Sequence, residues 1–290
     1  MAVHRLMSIV LGLAAVVWSA SGLQPSSATP APRPVTKVLV VVEENHSLAQ
    51  MRTGMPYAFS LARRFGYALG YRAITHPSLP NYLAIAGGSA FGIHDDGPPS
   101  GHRLPGSSVF GEAVARGRTA NVYAENMPRP CATRDSGSYV VKHNPWVYFP
   151  AERAQCRKHD LGLAAFSAAV RGGHLPQIGM LVPNSCHDAH DCSLERADAW
   201  FEGVMRQVFA GPDWRSGHLL VVLTADEDDG AHHNDVLTVV IHPSLHHRVA
   251  TTRLNHYSLT RFLAQVAHVP APRQAASAPS LASAFNLSVG

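Results

Sequence analysis

Short apolar runs rich in valine, leucine and isoleucine recur along this chain, and a cluster of polar residues follows each of them. Helical patterns lie between the runs, an alternation typical of a mostly parallel sheet covered by helices. The sequence therefore predicts an α/β fold. The predicted strands are residues 37–42, 119–123, 177–182, 218–223 and 236–241, and the predicted helices are residues 56–64, 82–86, 109–116, 161–170, 194–208 and 257–266.

The N-terminal part of the chain differs in composition from the rest. Residues 1–22 carry two basic side chains, then an apolar run and then small residues, a pattern typical of a secretory signal peptide. The apolar run is shorter than the roughly 20 residues that span a bilayer, although a retained anchor is the alternative. Residues 23–34 are rich in Pro, Ser, Ala and Thr, which predicts a disordered leader. We therefore predict a secreted protein with a single domain over residues 35–290.

Export would place the chain in an oxidising compartment, where its four cysteines would form two disulfides. Three connectivities are open. We favour Cys131 with Cys156 and Cys186 with Cys192, because each pair would staple one loop. The chain has no C-x-x-C motif, so a cysteine zinc site is disfavoured.

The charge of the chain bears on its partners. The net charge of +4 is modest and the basic residues are scattered, so no nucleic-acid partner is predicted. The 18 histidines would make the surface more cationic in acid, which favours anionic substrates and transient contact with a membrane surface there. The sequence leaves the oligomeric state open.

Two polar clusters follow predicted strands. Glu44 and Asn45 come after the strand at 37–42, and an acidic run at 226–229 comes after the strand at 218–223. In an open α/β sheet both clusters would lie at the edge where ligands bind, and their oxygen atoms suit a hard cation. The alternatives are a side-chain cap on a turn for the first cluster and a solvated loop for the second.

Ser78 lies between Pro77 and Pro80, just before a predicted helix. The two prolines would hold the backbone rigid. A neighbouring cation would lower the pKa of the hydroxyl, and the helix N-terminus would stabilise phosphate, so we interpret Ser78 as a nucleophile. The alternative is a turn without chemistry. The absence of a Gly-x-Ser-x-Gly motif disfavours a serine esterase of the α/β-hydrolase type.

Asp188 and His190 lie in the loop that a disulfide between Cys186 and Cys192 would hold rigid. A histidine flanked by carboxylates could protonate a leaving alcohol, and a solvated histidine is the alternative. Three weaker candidates for phosphate contacts, each of which could be an ordinary surface residue, are Lys142, His143 and His256.

Together these segments resemble the bacterial phosphoesterase family that contains secreted acid phosphatases and phospholipases C. The likeness implies an alkaline phosphatase-like three-layer sandwich around a mostly parallel central sheet. The segments that carry it occur in the family's order, and they are residues 41–47, 76–83, 123–128, 142–147, 183–184, 188–191, 226–230 and 255–257.

The resemblance also implies roles for individual residues. Ser78 would attack phosphorus, Asp188 and His190 would belong to the active site, and Asn81 would contact the phosphoryl oxygens. Positions that hold Asp and His zinc ligands in two-metal relatives are Glu, Asn and Asp here, so one divalent metal ion is expected, with Mg, Ca, Mn and Zn all open. Its ligands would be Glu44, Asn45, Ser78, Asp226 and Glu227.

The resulting functional prediction is a secreted, metal-assisted acid phosphatase that hydrolyses small phosphomonoesters, including phosphoinositides, through a phosphoserine intermediate. The length of the chain resembles the compact secreted acid phosphatases, among them one that acts on phosphatidylinositol 3-phosphate, more than the longer phospholipases C. One alternative is a phospholipase C or other phosphodiesterase with the same active site. The other is a secreted lipid-binding protein that has lost catalysis.

Overall fold

A mostly parallel sheet forms the centre of this computed structural model, which describes residues 1–2 and 33–290. By its internal contacts, Pro32–Gly290 forms one unit. The predicted signal peptide, and the predicted leader as far as residue 32, lie outside the described residues apart from residues 1–2. Among the residues described, no helix combines the length and the apolar character needed to cross a membrane.

The elements of residues 33–290 alternate as the sequence predicts. The strands are β1 (Lys37–Glu43), β2 (Gly66–Ala68), β3 (Tyr71–Arg72), β4 (Ala120–Ala124), β5 (Asp160–Leu161), β6 (Ile178–Val182), β7 (Leu219–Ala225), β8 (Thr238–Ile241), β9 (Arg248–Ala250) and β10 (Leu254–Asn255). The helices are α1 (Leu48–Gly54), α2 (Pro56–Arg64), α3 (Ser78–Gly87), α4 (Val109–Ala115), α5 (Arg153–His159), α6 (Leu163–Gly172), α7 (Leu194–Ala210), α8 (Pro212–Arg215), α9 (His256–Ala267) and α10 (Leu281–Phe285).

Within the described chain, eight strands form the central sheet in the order β5-β4-β6-β1-β7-β8-β2-β9. All neighbours from β5 to β7 are parallel, β8 is antiparallel to both β7 and β2, and β2 is parallel to β9. The short strands β3 and β10 pair separately. The predicted α/β class is therefore confirmed.

The three central strands are buried along almost their whole length. Every residue of β6 and β7 is buried, and in β1 only Lys37 is partly exposed. Strands with apolar side chains on both faces need helices on both faces of the sheet. Helix α7 shows how such a cover forms, because Ala197, Phe201, Val204 and Val208 are buried on one helical face while its other face is polar.

The carboxyl ends of the parallel strands meet at one edge of the sheet. Glu43 at the end of β1 lies opposite Ala225 at the end of β7, and Val182 at the end of β6 lies opposite Ala124 of β4. The residues that follow each strand therefore emerge side by side. This register positions the functional groups described below.

The predicted strands are all present, and their ends differ from the prediction by at most two residues. One helix differs more, because α3 begins at Ser78 and not at residue 82. Pro80 is compatible with this earlier start, since proline is tolerated in the first turn of a helix. The favoured disulfides, Cys131–Cys156 and Cys186–Cys192, are both present.

Candidate active site

Ser78 is the first residue of α3, directly after Pro77 at the N-cap. Its hydroxyl donates a hydrogen bond to Glu44 Oε2 at 2.9 Å. The side-chain oxygen of Asn45 lies 3.5 Å from the same hydroxyl. Thus the residues that follow β1 meet the predicted nucleophile at the carboxyl edge of the sheet.

The acidic residues after β7 complete this cluster. The backbone amide of Asn45 donates to Asp226 Oδ1 at 3.2 Å. One atom of the Asn45 side-chain amide points into the cluster, 3.2 Å from Glu44 Oε2 and 3.1 Å from Glu227 Oε1. If that atom is nitrogen, it donates to both carboxylates. If it is oxygen, only oxygen atoms face one another, an arrangement that a cation or a proton retained on one carboxyl group would stabilise.

His143 lies between two buried carboxylates. Its Nε2 is 3.2 Å from Glu44 Oε1 and its Nδ1 is 3.0 Å from Asp188 Oδ2. The ring stacks on Tyr82, with 5.2 Å between the ring centroids, and is 1% exposed. Burial first, and then the positive charge of Lys142, hold the pKa of His143 well below its usual value. His143 therefore spans two acids from inside the protein, and the predicted contact with phosphate would need the ring to leave one of them.

The loop closed by Cys186–Cys192 supplies Asp188 and His190. Asp188 is buried; its Oδ1 accepts from the backbone amide of His190 at 2.8 Å, and its backbone carbonyl accepts from the amide of Glu44 at 2.7 Å. The side chain of His190 is 34% exposed, its ring centroid is 5.8 Å from that of His143, and its Nδ1 lies 2.8 Å from Asp191 Oδ1. His190 thus stands at the solvent side of the cluster.

Asn81 is fully buried and its side chain is occupied by the protein itself. Its Oδ1 accepts from the amides of Ile74 and Thr75 at 3.0 and 3.1 Å. Its Nδ2 donates to Thr75 O at 2.7 Å and lies 3.2 Å from Glu227 Oε2. The structure therefore shows Asn81 fastening the loop before Ser78 to Glu227, and a contact with phosphoryl oxygens would come in addition.

His256 lies behind the cluster, completely buried. Its Nε2 is 2.6 Å from the backbone oxygen of Asp226, and its Nδ1 is 3.1 Å from the hydroxyl of Tyr71. Burial lowers the pKa of His256 to about 4, so the ring is neutral. Both ring nitrogens are engaged, so His256 supports the backbone of Asp226 in this structure, and a contact with phosphate would need one of these bonds to break.

Comparison with known proteins identifies the chemistry of this fold. Residues 51–270 match the phosphoesterase family. The chain belongs to this family. It is 31% identical over 287 residues to the phosphatidylinositol-3-phosphatase of Mycobacterium tuberculosis, across 96% of this chain and 93% of that one. It is therefore a phosphoric ester hydrolase by family, as the sequence predicts.

A further sequence match agrees with membership of this family, and a structural match agrees with the predicted fold. The phosphate-repressible acid phosphatase of Penicillium chrysogenum is 30% identical over 170 residues, which are 55% of this chain and 40% of that one. A protein of the alkaline phosphatase superfamily from Vibrio parahaemolyticus has a similar structure, with a TM-score of 0.57 at 11% identity over 89% of this chain and 76% of that chain. The predicted alkaline phosphatase-like fold is confirmed.

The buried acids of the phosphoesterase have raised pKa values. Burial is the largest cause in each case, and it raises the pKa of Asp188 and of Asp226 to about 7 and that of Glu227 to about 9. The pKa of Glu44 is also raised well above its usual value, by burial and then by the charge of Asp226. The cluster therefore retains protons near neutral pH unless a positive charge replaces them.

Glu44 Oε1 and Asp188 Oδ2 approach the ring nitrogens of His143 without hydrogen-bond geometry. These two oxygens and Asp226 Oδ2 have no hydrogen-bond partner among the described residues. A buried carboxylate oxygen without a donor is costly. One ligand atom from each of Glu44, His143 and Asp188 lies within 4.8 Å of the others. A divalent cation would satisfy orphaned oxygens of this kind, so the buried carboxylates fit a metal ion. Of the converging group only Glu44 belongs to the ligand set predicted from the sequence, and that set stays a prediction.

Sequence reasoning missed three residues that contact this cluster. His76 Nδ1 is 3.0 Å from Glu227 Oε2. Asp96 accepts from two groups next to the cluster: its Oδ2 from Lys142 Nζ at 2.8 Å, and its Oδ1 from the amide of Leu79 at 2.9 Å. Glu43 is fully buried beside Glu44. Signals existed for each, since His76 precedes the Pro-Ser pair, Asp96 lies in an Asp-Asp-Gly turn, and Glu43 lies within the first polar cluster.

Proposed function

We propose that this phosphoesterase is a metal-assisted phosphomonoesterase that uses Ser78 as its nucleophile. One observation carries the proposal, the meeting of the Ser78 hydroxyl with Glu44 Oε2 at 2.9 Å at the N-terminus of α3, within a cluster of carboxylates. A helix N-terminus favours phosphate, and a hydroxyl bonded to a carboxylate already has its proton directed away from the reacting lone pair.

In the proposed reaction Ser78 Oγ forms a bond to phosphorus while its proton passes to Glu44 Oε2 and the bond from phosphorus to the leaving alcohol breaks. His190, whose Nε2 makes no hydrogen bond to the described residues, would give a proton to that alcohol. Asp191 would orient the imidazole through Nδ1. Water then attacks the phosphoserine and gives a proton to His190, phosphate leaves, and the proton held by Glu44 returns to Ser78 Oγ. Lys142, held by Asp96, would contribute positive charge beside the substrate.

Glu44, Asn45, Asp226 and Glu227 would hold the cation together with Ser78. When bound, the cation would supply positive charge that offsets the charge of the phosphoryl group and lowers the pKa of the hydroxyl. His143 would fix the rotamers of Glu44 and Asp188 from behind. His256 would fix the backbone of Asp226 in the same way.

The substrate class and location are part of the proposal. The match to a phosphatidylinositol-3-phosphatase along almost the whole chain supports phosphoinositides and other phosphomonoesters as substrates. Two disulfides support folding in an oxidising compartment, in agreement with the predicted signal peptide and secretion.

The test is phosphate release by the purified mature protein from p-nitrophenyl phosphate, bis-p-nitrophenyl phosphate and phosphatidylinositol 3-phosphate, with and without chelator. We expect turnover of the two monoesters, loss of turnover with chelator and little turnover of the bis-ester. Faster turnover of the bis-ester would instead establish a phosphodiesterase. Binding of phosphoinositide without phosphate release, in the presence of divalent metal ions, would overturn the enzymatic proposal.

A further inference from the structure

A cleft of ≈ 690 Å³ lies beside the acidic cluster, and arginines line it. Arg103, Arg134 and Arg153 contribute its positive charge, and Asp135 is the single carboxylate among the described residues of its wall. Oδ1 of Asp135 accepts a hydrogen bond from the amide of Val141 at 2.7 Å, so this carboxylate is already engaged. The rest of the wall is largely apolar and includes Pro98, Pro99, Val147, Tyr148 and Pro150.

The arginines of this cleft lack acidic partners. Arg103 and Arg134 are exposed, and neither forms a salt bridge or a side-chain hydrogen bond within the part of the chain that is described. Arg153 is held in place, because it donates to the backbone oxygen of Cys131 and to that of Val147. The cleft thus has three guanidinium groups and a single carboxylate. This arrangement suits an anion that carries more than one negative charge.

The neighbouring guanidinium groups repel one another. The pKa of Arg153 is lowered from its usual value, first by burial and then by the positive charge of Arg157; Asp160 raises it, and Arg103 and Arg129 lower it further. A bound anion would relieve this repulsion. Phosphate matches guanidinium groups well, because its oxygens accept the paired N–H donors of each group.

The cleft is continuous with the proposed catalytic site through one segment of chain. Val141 lines the cleft, and His143, two residues further on, contacts Glu44 and Asp188. Two residues span at most about 7 Å. Lys142 lies between them and is bonded to Asp96. The cleft and the proposed catalytic site therefore lie on neighbouring parts of one chain segment.

A second segment joins the same two places. Pro98 lines the cleft, and Asp96, two residues earlier, accepts from the amide of Leu79 next to Ser78. The cleft thus shares two chain segments with the proposed catalytic site, and the proposal rests on this adjacency.

We propose that the arginine cleft binds a second phosphate group of the substrate whose phosphomonoester reacts at Ser78. This inference rests on the proposed function and narrows its substrate class to phosphomonoesters that carry a further phosphate, such as a phosphorylated inositol ring. The second phosphate could belong to a soluble inositol bisphosphate or to the diester of a membrane phosphoinositide. The chemistry recognised is the same in both.

The test uses two ligands that differ by one phosphate, inositol 3-phosphate and inositol 1,3-bisphosphate. Their dissociation constants are measured by calorimetry on the full-length mature Ser78→Ala variant, which cannot turn them over. We expect the bisphosphate to bind at least about tenfold more tightly. The double substitution Arg103→Gln and Arg134→Gln should remove that preference. Equal preference with and without these substitutions would overturn the proposal.

A matched control separates the cleft from general electrostatics. Arg118 and Arg171 are also exposed, without a side-chain partner in the described chain, and Arg118 precedes β4 at the opposite edge of the sheet. The double substitution Arg118→Gln and Arg171→Gln changes the net charge by the same amount. The preference for the bisphosphate should persist in it. If both double variants lose the preference equally, a diffuse field and not the cleft is responsible, and the proposal fails.

Activity assays distinguish a soluble inositol bisphosphate from a membrane phosphoinositide as the source of the second phosphate. They also separate a failure of this proposal from a failure of the proposed catalytic function. The ratio of KM for inositol 1,3-bisphosphate to KM for p-nitrophenyl phosphate should rise about tenfold in the cleft variant. A loss confined to phosphatidylinositol 3-phosphate in vesicles would assign the cleft to the membrane diester. If p-nitrophenyl phosphate is not hydrolysed, the proposed function fails, while the calorimetric preference still decides the cleft.

Discussion

Ser78 with Glu44 and Ser108 with Glu152 are both serine–glutamate pairs at the start of a helix, and they differ in what surrounds the glutamate. Ser78 begins α3 and donates to Glu44 at 2.9 Å, and Ser108 caps α4 and donates to Glu152 at 2.6 Å. Both glutamates are buried. Burial raises the pKa of both of them.

Glu152 is satisfied by donors. Its Oε1 accepts from the amide of Ser108 at 2.8 Å, and its Oε2 accepts from Ser108 Oγ and from Trp146 Nε1 at 2.8 Å. Glu44 has one such bond, through Oε2, and Asp226 and Asp188 raise its pKa further. Glu152, a buried acid surrounded by donors, is thus structural, whereas Glu44, a buried acid among other acids, is one that the proposed cation would compensate.

The nucleophile provides the largest expected difference. Ser78→Ala should lower kcat by at least about 10³-fold and leave the melting temperature nearly unchanged, because it removes the attacking oxygen from an intact site. Ser108→Ala should do the reverse, costing about 1–2 kcal/mol of stability through the lost cap and hydrogen bond, with kcat retained. Phosphate release and thermal unfolding of both variants check this. A Ser78→Ala protein that keeps its turnover would exclude the serine as nucleophile.

Removal of divalent metal should have the next largest effect. Dialysis against chelator should lower activity by at least about 10²-fold, and one equivalent of a suitable metal ion should restore it. The folded metal-free protein should also melt at a lower temperature, because its buried carboxylates are then uncompensated. Activity that survives exhaustive chelation would contradict metal assistance.

Neutralising each glutamate should change stability in opposite directions. In metal-free protein at neutral pH, Glu44→Gln should raise the free energy of unfolding, because an amide adds no charge to the cluster at any pH and donates to the acids around it. Glu152→Gln should lower it by about 1–3 kcal/mol, because an amide cannot accept all three of the bonds made to the carboxylate. Urea unfolding of the two variants measures both signs. Destabilisation by both substitutions would show that Glu44 is an ordinary structural acid.

The smallest expected effect is a dependence of stability on pH. Asp188 and Asp226, with pKa values of about 7, and Glu227, with a pKa of about 9, hold protons in the folded state that the unfolded chain has lost. Between pH 6.5 and 8.5 the stability of metal-free protein should therefore fall as pH rises, by about 1.4 kcal/mol per pH unit from Glu227, and Asp188 and Asp226 should add to the fall only up to about pH 7. Unfolding at saturating metal should show no such fall, and a flat metal-free profile would refute the raised values.

The buried histidines change stability with pH in the opposite direction from the acids. They therefore set the lower limit of the pH range in which the unfolding measurement reports on the acids. Burial lowers the pKa of His256 and of His242 to about 4. Below about pH 6.5 the unfolded chain binds protons that these folded histidines do not bind, so stability there rises with pH. The acids and the histidines act against each other in that range, whereas above it the acids act alone.

Much of the architecture is predictable because its signals are local. The apolar runs of β1, β6 and β7 identify buried strands, and the polar residues that follow them fall at one edge because parallel strands share their direction. The same reasoning brings Glu44 and Asp226 to the first residue of α3. Strands of two or three residues, such as β3 and β10, have too few residues to show any periodicity.

The roles of individual histidines are less predictable, since they depend on contacts between distant segments. In the sequence, His143 and His256 look like ordinary surface residues. The fold buries both of them, His143 between two acids and His256 behind Asp226. Asn81 likewise forms its hydrogen bonds with the loop before Ser78. Residue type and spacing indicate which groups can do chemistry, but only packing separates those that face the substrate from those that support them.

The most direct test of the account is the position of a Mn²⁺ ion in anomalous-scattering maps from crystals of the mature protein. We expect one strong peak at about 2.0–2.4 Å from oxygen atoms of Glu44, Asp226 and Ser78. A map without a peak at this cluster, or with its main peak at Asp228, Asp229 and His232, would contradict it.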